Sequence, residues 1–183
     1  MNDPDNLDKV VKKEIVPYDK QADVFSIDHH DQKCVITLAQ FYSERVGRFM
    51  WINDRGEVRC DGEGTDHRTL FNYYVGENEI VRFVSRGGKY RNFAISMTNG
   101  ELRPFHTAEP PNSDMGDPST QFVRARGSDF DGQLVKYQSK IDSNRYLAFD
   151  QQGNPQPLGF TSNAAVAGEF ICWNVTVEKE TAL

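Results

Sequence analysis

Three times in this chain an aromatic residue opens a short apolar run, a polar turn follows, and a glycine closes the turn seven positions on. The copies are Phe49-Met50-Trp51-Ile52-Asn53-Asp54-Arg55-Gly56, Phe93-Ala94-Ile95-Ser96-Met97-Thr98-Asn99-Gly100 and Tyr146-Leu147-Ala148-Phe149-Asp150-Gln151-Gln152-Gly153. A basic residue stands close before each one: Arg48, Arg91 and Arg145. Glycine enters left-handed turn geometry without the clash that a Cβ would make. A unit recurring every roughly 40 to 50 residues is one piece of supersecondary structure used repeatedly. Three copies predict an all-β chain of β-trefoil type, with about twelve short strands in pseudo-threefold arrangement.

The rest of the chain agrees with strands. Val35-Ile36-Thr37-Leu38 is apolar and rich in β-branched residues. Leu70 to Val75 and Ile80 to Val84 flank Gly76-Glu77-Asn78-Glu79, which reads as a hairpin. Phe122 to Ala125 and Leu134 to Tyr137 flank Gly127 to Gly132 in the same way, and Glu169 to Trp173 is a closing strand. No long window carries helical periodicity. Pro110, Pro111, Gly116 and Pro118 mark Ala108 to Thr120 as a surface loop. Residues 1–32 are polar and charged and read as a flexible N-terminal arm, 33–177 as the folded domain, and 178–183 as a C-terminal tail.

Charge narrows the partners. With 27 acidic and 21 basic side chains the net charge is −6, so nucleic acid is not an expected partner and a polyanionic glycan could be held only by a local patch. No apolar run approaches the roughly 18 to 20 residues of a membrane span, so no membrane insertion is expected. The start, Met1-Asn2-Asp3-Pro4-Asp5, lacks the apolar stretch of a secretory signal, which fits an intracellular protein or a mature chain with an added Met. The three cysteines, Cys34, Cys60 and Cys172, are odd in number and give no disulfide framework; they read as packed thiols.

The repeats carry a more specific likeness. Tyr146-Leu147-Ala148-Phe149 with Gly153 resembles a signature of the fibroblast growth factor family, and the middle copy through Gly100-Glu101-Leu102 resembles that family's central signature. Tyr42 through Phe49, Ile52, Gly56 and Val58 resembles its opening strand pair, and Phe170-Ile171-Cys172-Trp173 falls at its closing strand. The likeness covers roughly residues 40 to 173. It implies a secreted ligand that binds a receptor tyrosine kinase ectodomain, with heparan sulfate or a protein co-receptor as accessory partner.

The resemblance also implies sites. Tyr42, Arg126, Leu134, Tyr137, Ile171 and Trp173 fall at its receptor-contacting positions. Arg126 stands where the family has a glutamate that pairs with a receptor arginine, so a family-standard receptor is expected to bind poorly unless it has changed to match. The glycan-binding turn of the family is rich in Lys and Arg, whereas residues 150–167 here contain neither. Gln151, Gln152, Asn154, Gln156 and Asn163 remain as hydrogen-bonding residues for a weak glycan contact, without the charge that makes polyanion binding strong. Asn174-Val175-Thr176 is an N-glycosylation sequon, with Asn174 as acceptor in a secreted chain.

No enzymatic chemistry is legible. His29, His30, His67 and His106 stand at no recognisable triad spacing. Gly87-Gly88-Lys89 lacks the flanking residues of a phosphate loop, and Asp61, Glu63 and Asp66 lack the closing glutamate of a calcium loop. Asp28-His29-His30-Asp31 reads as solvated surface, and neither a metal nor a cofactor is expected. The rival reading is an intracellular trefoil, cytoplasmic and similar to fascins or to the fibroblast-growth-factor homologous factors, that docks another protein.

Overall fold

The computed structural model describes residues 8–21, 34–107, 116–156 and 167–179. Among these, eleven strands form: β1 (Asp8–Ile15), β2 (Cys34–Ser43), β3 (Arg48–Ile52), β4 (Val58–Gly62), β5 (Phe71–Gly76), β6 (Ile80–Ser85), β7 (Phe93–Thr98), β8 (Glu101–His106), β9 (Phe122–Arg126), β10 (Leu134–Ser139) and β11 (Glu169–Lys179). Six of them, in the spatial order β2, β5, β6, β9, β10 and β11, pair antiparallel in sequence, and β11 returns to pair with β2. The sheet therefore closes on itself, which removes the exposed edges that an open sheet would leave.

The alternation of side chains fills the barrel from every wall. Phe41, Tyr73, Phe83, Phe122, Tyr137 and Phe170 come one from each barrel strand, and all are buried. Phe83 lies at the centre of this cluster. Its ring centroid is 4.9 Å from that of Phe41, 4.8 Å from Tyr137 and 5.5 Å from Phe122, each pair edge to face. Such pairs contribute about 0.5–1.5 kcal/mol each beyond the burial of their area. Met50, Ile52, Val58, Met97, Leu147 and Phe149 close the core around them.

The strands do not take the expected trefoil arrangement. β3–β4 and β7–β8 form hairpins from the first two copies of the repeat. The third copy forms no hairpin among the described residues; it makes only isolated bridges, Gln138 with Tyr146 and Phe149 with Pro155. Pro155, on the return path, has no N–H to donate to a ladder. The architecture is a closed six-stranded antiparallel barrel with five further strands, not three equivalent units. The fifth, β1, runs along β11 from Asp8–Lys179 to Ile15–Trp173 and has no counterpart in the repeats. The expected all-β character holds, and so does the turn chemistry of the repeat. Gly56, Gly100 and Gly153 all have left-handed backbones, with φ of 77°, 78° and 83°.

Part of the segment read as an arm thus belongs to the sheet. Beyond β1, residues 18–21 form a helical turn that closes one mouth of the barrel. Gln21 Oε1 accepts from the Tyr73 hydroxyl at 2.8 Å and from the Arg124 guanidinium at 3.1 Å. Arg124 also donates to the Tyr18 carbonyl at 2.8 Å and lies 4.4 Å from the centre of the Tyr18 ring.

Candidate functional site on the outer barrel face

Antiparallel register places directly opposed residues on one face of the sheet. Leu134 of β10 stands opposite Ile171 of β11, Ile171 opposite Tyr42 of β2, and Tyr42 opposite Phe49 of β3. Their chain neighbours Val135, Phe170, Cys172 and Phe41 point into the core, so this apolar row runs across four strands on the outside. Ile171 is buried at 6 % exposure, whereas Leu134, Tyr42 and Phe49 are half-buried. The Tyr42 and Phe49 rings pack with centroids 5.1 Å apart. At the Leu134 end the surface sinks into a depression of about 300 Å³ lined by Glu44, Arg45, Leu134 and Glu169.

Three of the six residues read as receptor contacts, Tyr42, Leu134 and Ile171, are therefore brought into one row. Trp173 lies two positions along β11, half-buried between Gln40 of β2 and Ile15 of β1. Its indole N–H is buried without a hydrogen-bond acceptor, and Gln40 Oε1 is buried without a donor. Arg126 is exposed at the end of β9, 3.4 Å from Asp19 Oδ2. Tyr137 points the other way. It is wholly buried, its hydroxyl 3.3 Å from that of Tyr73, so it offers no surface to a partner; burial pushes both phenols above their ordinary range.

The connection between β9 and β10 was legible only as a hairpin, yet it carries the most exposed large apolar side chain described, Phe130, at 98 %. Its base is clamped. Gly127 N–H donates to the Leu134 carbonyl at 2.8 Å, and the Asp129 carboxylate accepts from the amides of Gln133 at 2.7 Å and Leu134 at 3.1 Å. Ser128 donates through its amide and its hydroxyl to the buried carboxylate of Glu169, both at 2.8 Å. A Cβ on Gly127 would come within 2.6 Å of Leu134 Cβ and 2.7 Å of Glu169 Oε2, so only glycine fits that close approach. The signal in the sequence was an aromatic residue flanked by two aspartates inside a polar turn.

The glycan candidates sit together but without cations of their own. Gln151, Gln152, Asn154 and Gln156 are all exposed on the turn after Phe149, and Asn163 lies outside the described residues. Asp150 takes the turn's amides, accepting from Gln152 N and Asn154 N at 2.9 Å each. The nearby Arg59 donates to Asn154 Oδ1 at 2.5 Å and to the Gln152 carbonyl at 3.1 Å, and is itself neutralised by Asp61 at 2.8 Å. Asn174 is exposed in mid-strand, opposite Ala39 and Glu14. It borders a cavity of about 50 Å³ at the barrel mouth, which Gln21, Thr37 and Tyr73 also line.

Several titratable groups elsewhere are committed to structure. Asp66 accepts from the Arg68 guanidinium and amide, at 2.6 and 2.9 Å, and the Arg68 hydrogen bond holds its carboxyl below the usual range. Asp61 accepts from Trp51 Nε1 at 2.7 Å. His106 packs its ring against Phe93 at 5.0 Å, and His67 Nδ1 stands 3.8 Å from Asp66; His29 and His30 lie outside the described residues. Among the described residues no group of three or more His, Cys, Asp or Glu is placed to hold a metal ion. None of the three cysteines is in a disulfide, and burial pushes the thiols of Cys60 and Cys172 up to about 12.

Fold and site together define an all-β barrel protein with an apolar row on its outer wall. No protein-family model matches the chain, and no curated protein matches it significantly. No helix of the described residues is long and apolar enough to cross a membrane.

Proposed function

We propose that this chain is a binding module without catalytic activity of its own, which docks a protein partner on the outer row Leu134–Ile171–Tyr42–Phe49. The observation that carries this reading is the row itself. Apolar and aromatic residues from four strands share one face, at the rim of a depression, on a molecule whose core is already filled from inside. Interfaces concentrate their energy in a few such aromatic and aliphatic anchors, surrounded by polar residues that exclude water. Glu44, Arg45 and Glu169 supply that polar rim.

The likeness of the repeats to the fibroblast growth factor family names the partner class to try first, a receptor tyrosine kinase ectodomain, with the chain as a secreted ligand and Asn174 as a glycan acceptor. Heparan sulfate binding is weak in this reading. The turn of residues 150–156 contains no Lys or Arg, and Asn154 is already engaged by Arg59 and Asp150. The buried thiols are compatible with secretion, because groups this shielded do not oxidise readily. The test is titration of the purified chain against fibroblast-growth-factor-receptor ectodomains by surface plasmon resonance. Saturable binding that Tyr42→Ala weakens at least tenfold supports the reading; its absence with every ectodomain refutes it.

A further inference from the structure

An aromatic ring standing wholly in water at the end of a braced loop has no part in holding the fold. Phe130 touches nothing that its removal would disturb, being 98 % exposed. The loop beneath it is nonetheless fixed from three directions. Asp129 ties it to Gln133 and Leu134, Glu169 of β11 holds Ser128, and the N-terminal turn reaches it through Tyr18 N–H, which donates to the Gly132 carbonyl at 3.0 Å. Gly132 takes a left-handed backbone, with φ of 72°, to close the turn. A flexible loop would surrender entropy on binding, whereas this one presents its apolar tip already ordered.

We infer that Phe130 is the primary anchor of the binding face and enters an apolar pocket on a partner protein whose rim is cationic. This rests on the function proposed above and specifies its partner's chemistry. Leu134, the first residue of the outer row, is also the residue to which the loop is bolted, so tip and row form one continuous surface. The cationic rim follows from charge. Asp131 stands exposed beside Phe130, and Asp19 (71 % exposed) lies at the loop's flank, where Arg126 is the facing cation. Arg126 offsets Asp19, and Arg45 and Glu44 offset each other at the Leu134 end, so Asp131 is the charge left beside the ring, in a chain of net charge −6. An anionic lipid surface is the wrong partner for such a tip, because the flanking aspartates would be repelled where the ring inserts. Opposite charge on a protein rim would steer the encounter, while the buried ring sets the lifetime of the complex.

The experiment compares the full chain with Phe130→Ala, Phe130→Trp and Asp131→Asn, measuring kinetics against the receptor ectodomains, with thermal melting of each variant as control. Phe130→Ala should weaken binding by about tenfold or more, chiefly through faster dissociation, with an unchanged melting temperature. Phe130→Trp should restore it, and Asp131→Asn should slow association and flatten its dependence on salt. Unchanged affinity in Phe130→Ala, with Tyr42→Ala still impaired, overturns this inference and leaves the outer-row reading standing. Failure of the wild-type chain to bind any ectodomain overturns both. Two further results would also overturn it: Phe130-dependent partition onto anionic or zwitterionic vesicles, which makes the tip a lipid anchor, and Phe130-dependent self-association in the ultracentrifuge, which makes the partner a second copy.

Discussion

Arg124 Nε lies 2.8 Å from Glu79 Oε2 as an ion pair without the alignment of a hydrogen bond, the arginine side chain 2 % exposed and the glutamate 41 %. The Tyr18 hydroxyl donates to the same Glu79 oxygen at 2.8 Å. The pair joins the β5–β6 turn to β9, and through Tyr18 and Gln21 it fastens the N-terminal segment over the barrel mouth. Arg124→Met should destabilise the protein by about 3 kcal/mol, the low end for breaking a buried pair because Glu79 keeps contact with water. Glu79→Gln should cost less. Urea unfolding of both variants measures this; an Arg124→Met midpoint equal to that of wild type would show that the mouth is held by other contacts.

Gly153 closes the third copy of the repeat with φ of 83°, and its carbonyl accepts from the Cys60 amide at 2.9 Å. A Cβ there would stand 2.8 Å from the Cys60 carbonyl oxygen and 2.9 Å from Asp61 Cβ. Gly153→Ala therefore combines backbone strain with a backbone clash, and about 2 kcal/mol of lost stability is expected. Calorimetric melting of the variant checks it.

The buried thiols predict an alkaline limit to stability. In the unfolded chain the Cys60 and Cys172 thiols ionise near 9.0, whereas burial in the fold delays this to about 12. Raised folded values mean that the contribution is complete below pH 9 and is lost as pH climbs towards 12, by about 1.4 kcal/mol per pH unit for each thiol. Cys172→Ala should show a shallower loss across the same window, measured by denaturant unfolding at stepped pH. A thiol reagent at pH 8 should label none of the three cysteines until the protein unfolds.

What could be read beforehand divides along physical lines. The strands and the three glycine turns were legible because period-two alternation and left-handed backbone leave marks on the local sequence. The third copy carries the same sequence marks as the other two, yet its described residues make only isolated bridges, and such long-range pairing is not written in a local repeat. β1 was missed because Asp8-Lys9-Val10-Val11-Lys12-Lys13-Glu14-Ile15 is an outer strand with little to bury, and its pairing with Val175 and Trp173 is a long-range fact. Of the candidate site, Tyr42, Leu134 and Ile171 converge by register, which no single strand encodes. Tyr137 lies one strand position out of phase with that face, and alternation buries it.

Because affinity for a polyanion falls with each missing cation, the chain should leave a heparin column at low salt. Retention to high salt would mean that lysines and arginines elsewhere on the surface form a site.

Whether the row from Leu134 to Phe49 is a docking face is read from ectodomain binding by Leu134→Glu, a half-buried position outside the aromatic core. A carboxylate at the Leu134 end of the desolvated row should weaken binding at least tenfold, while circular dichroism stays that of the wild-type fold and the neighbouring Glu169 lowers the melting temperature without unfolding the chain. Wild-type affinity in a folded Leu134→Glu protein would show that partners dock elsewhere.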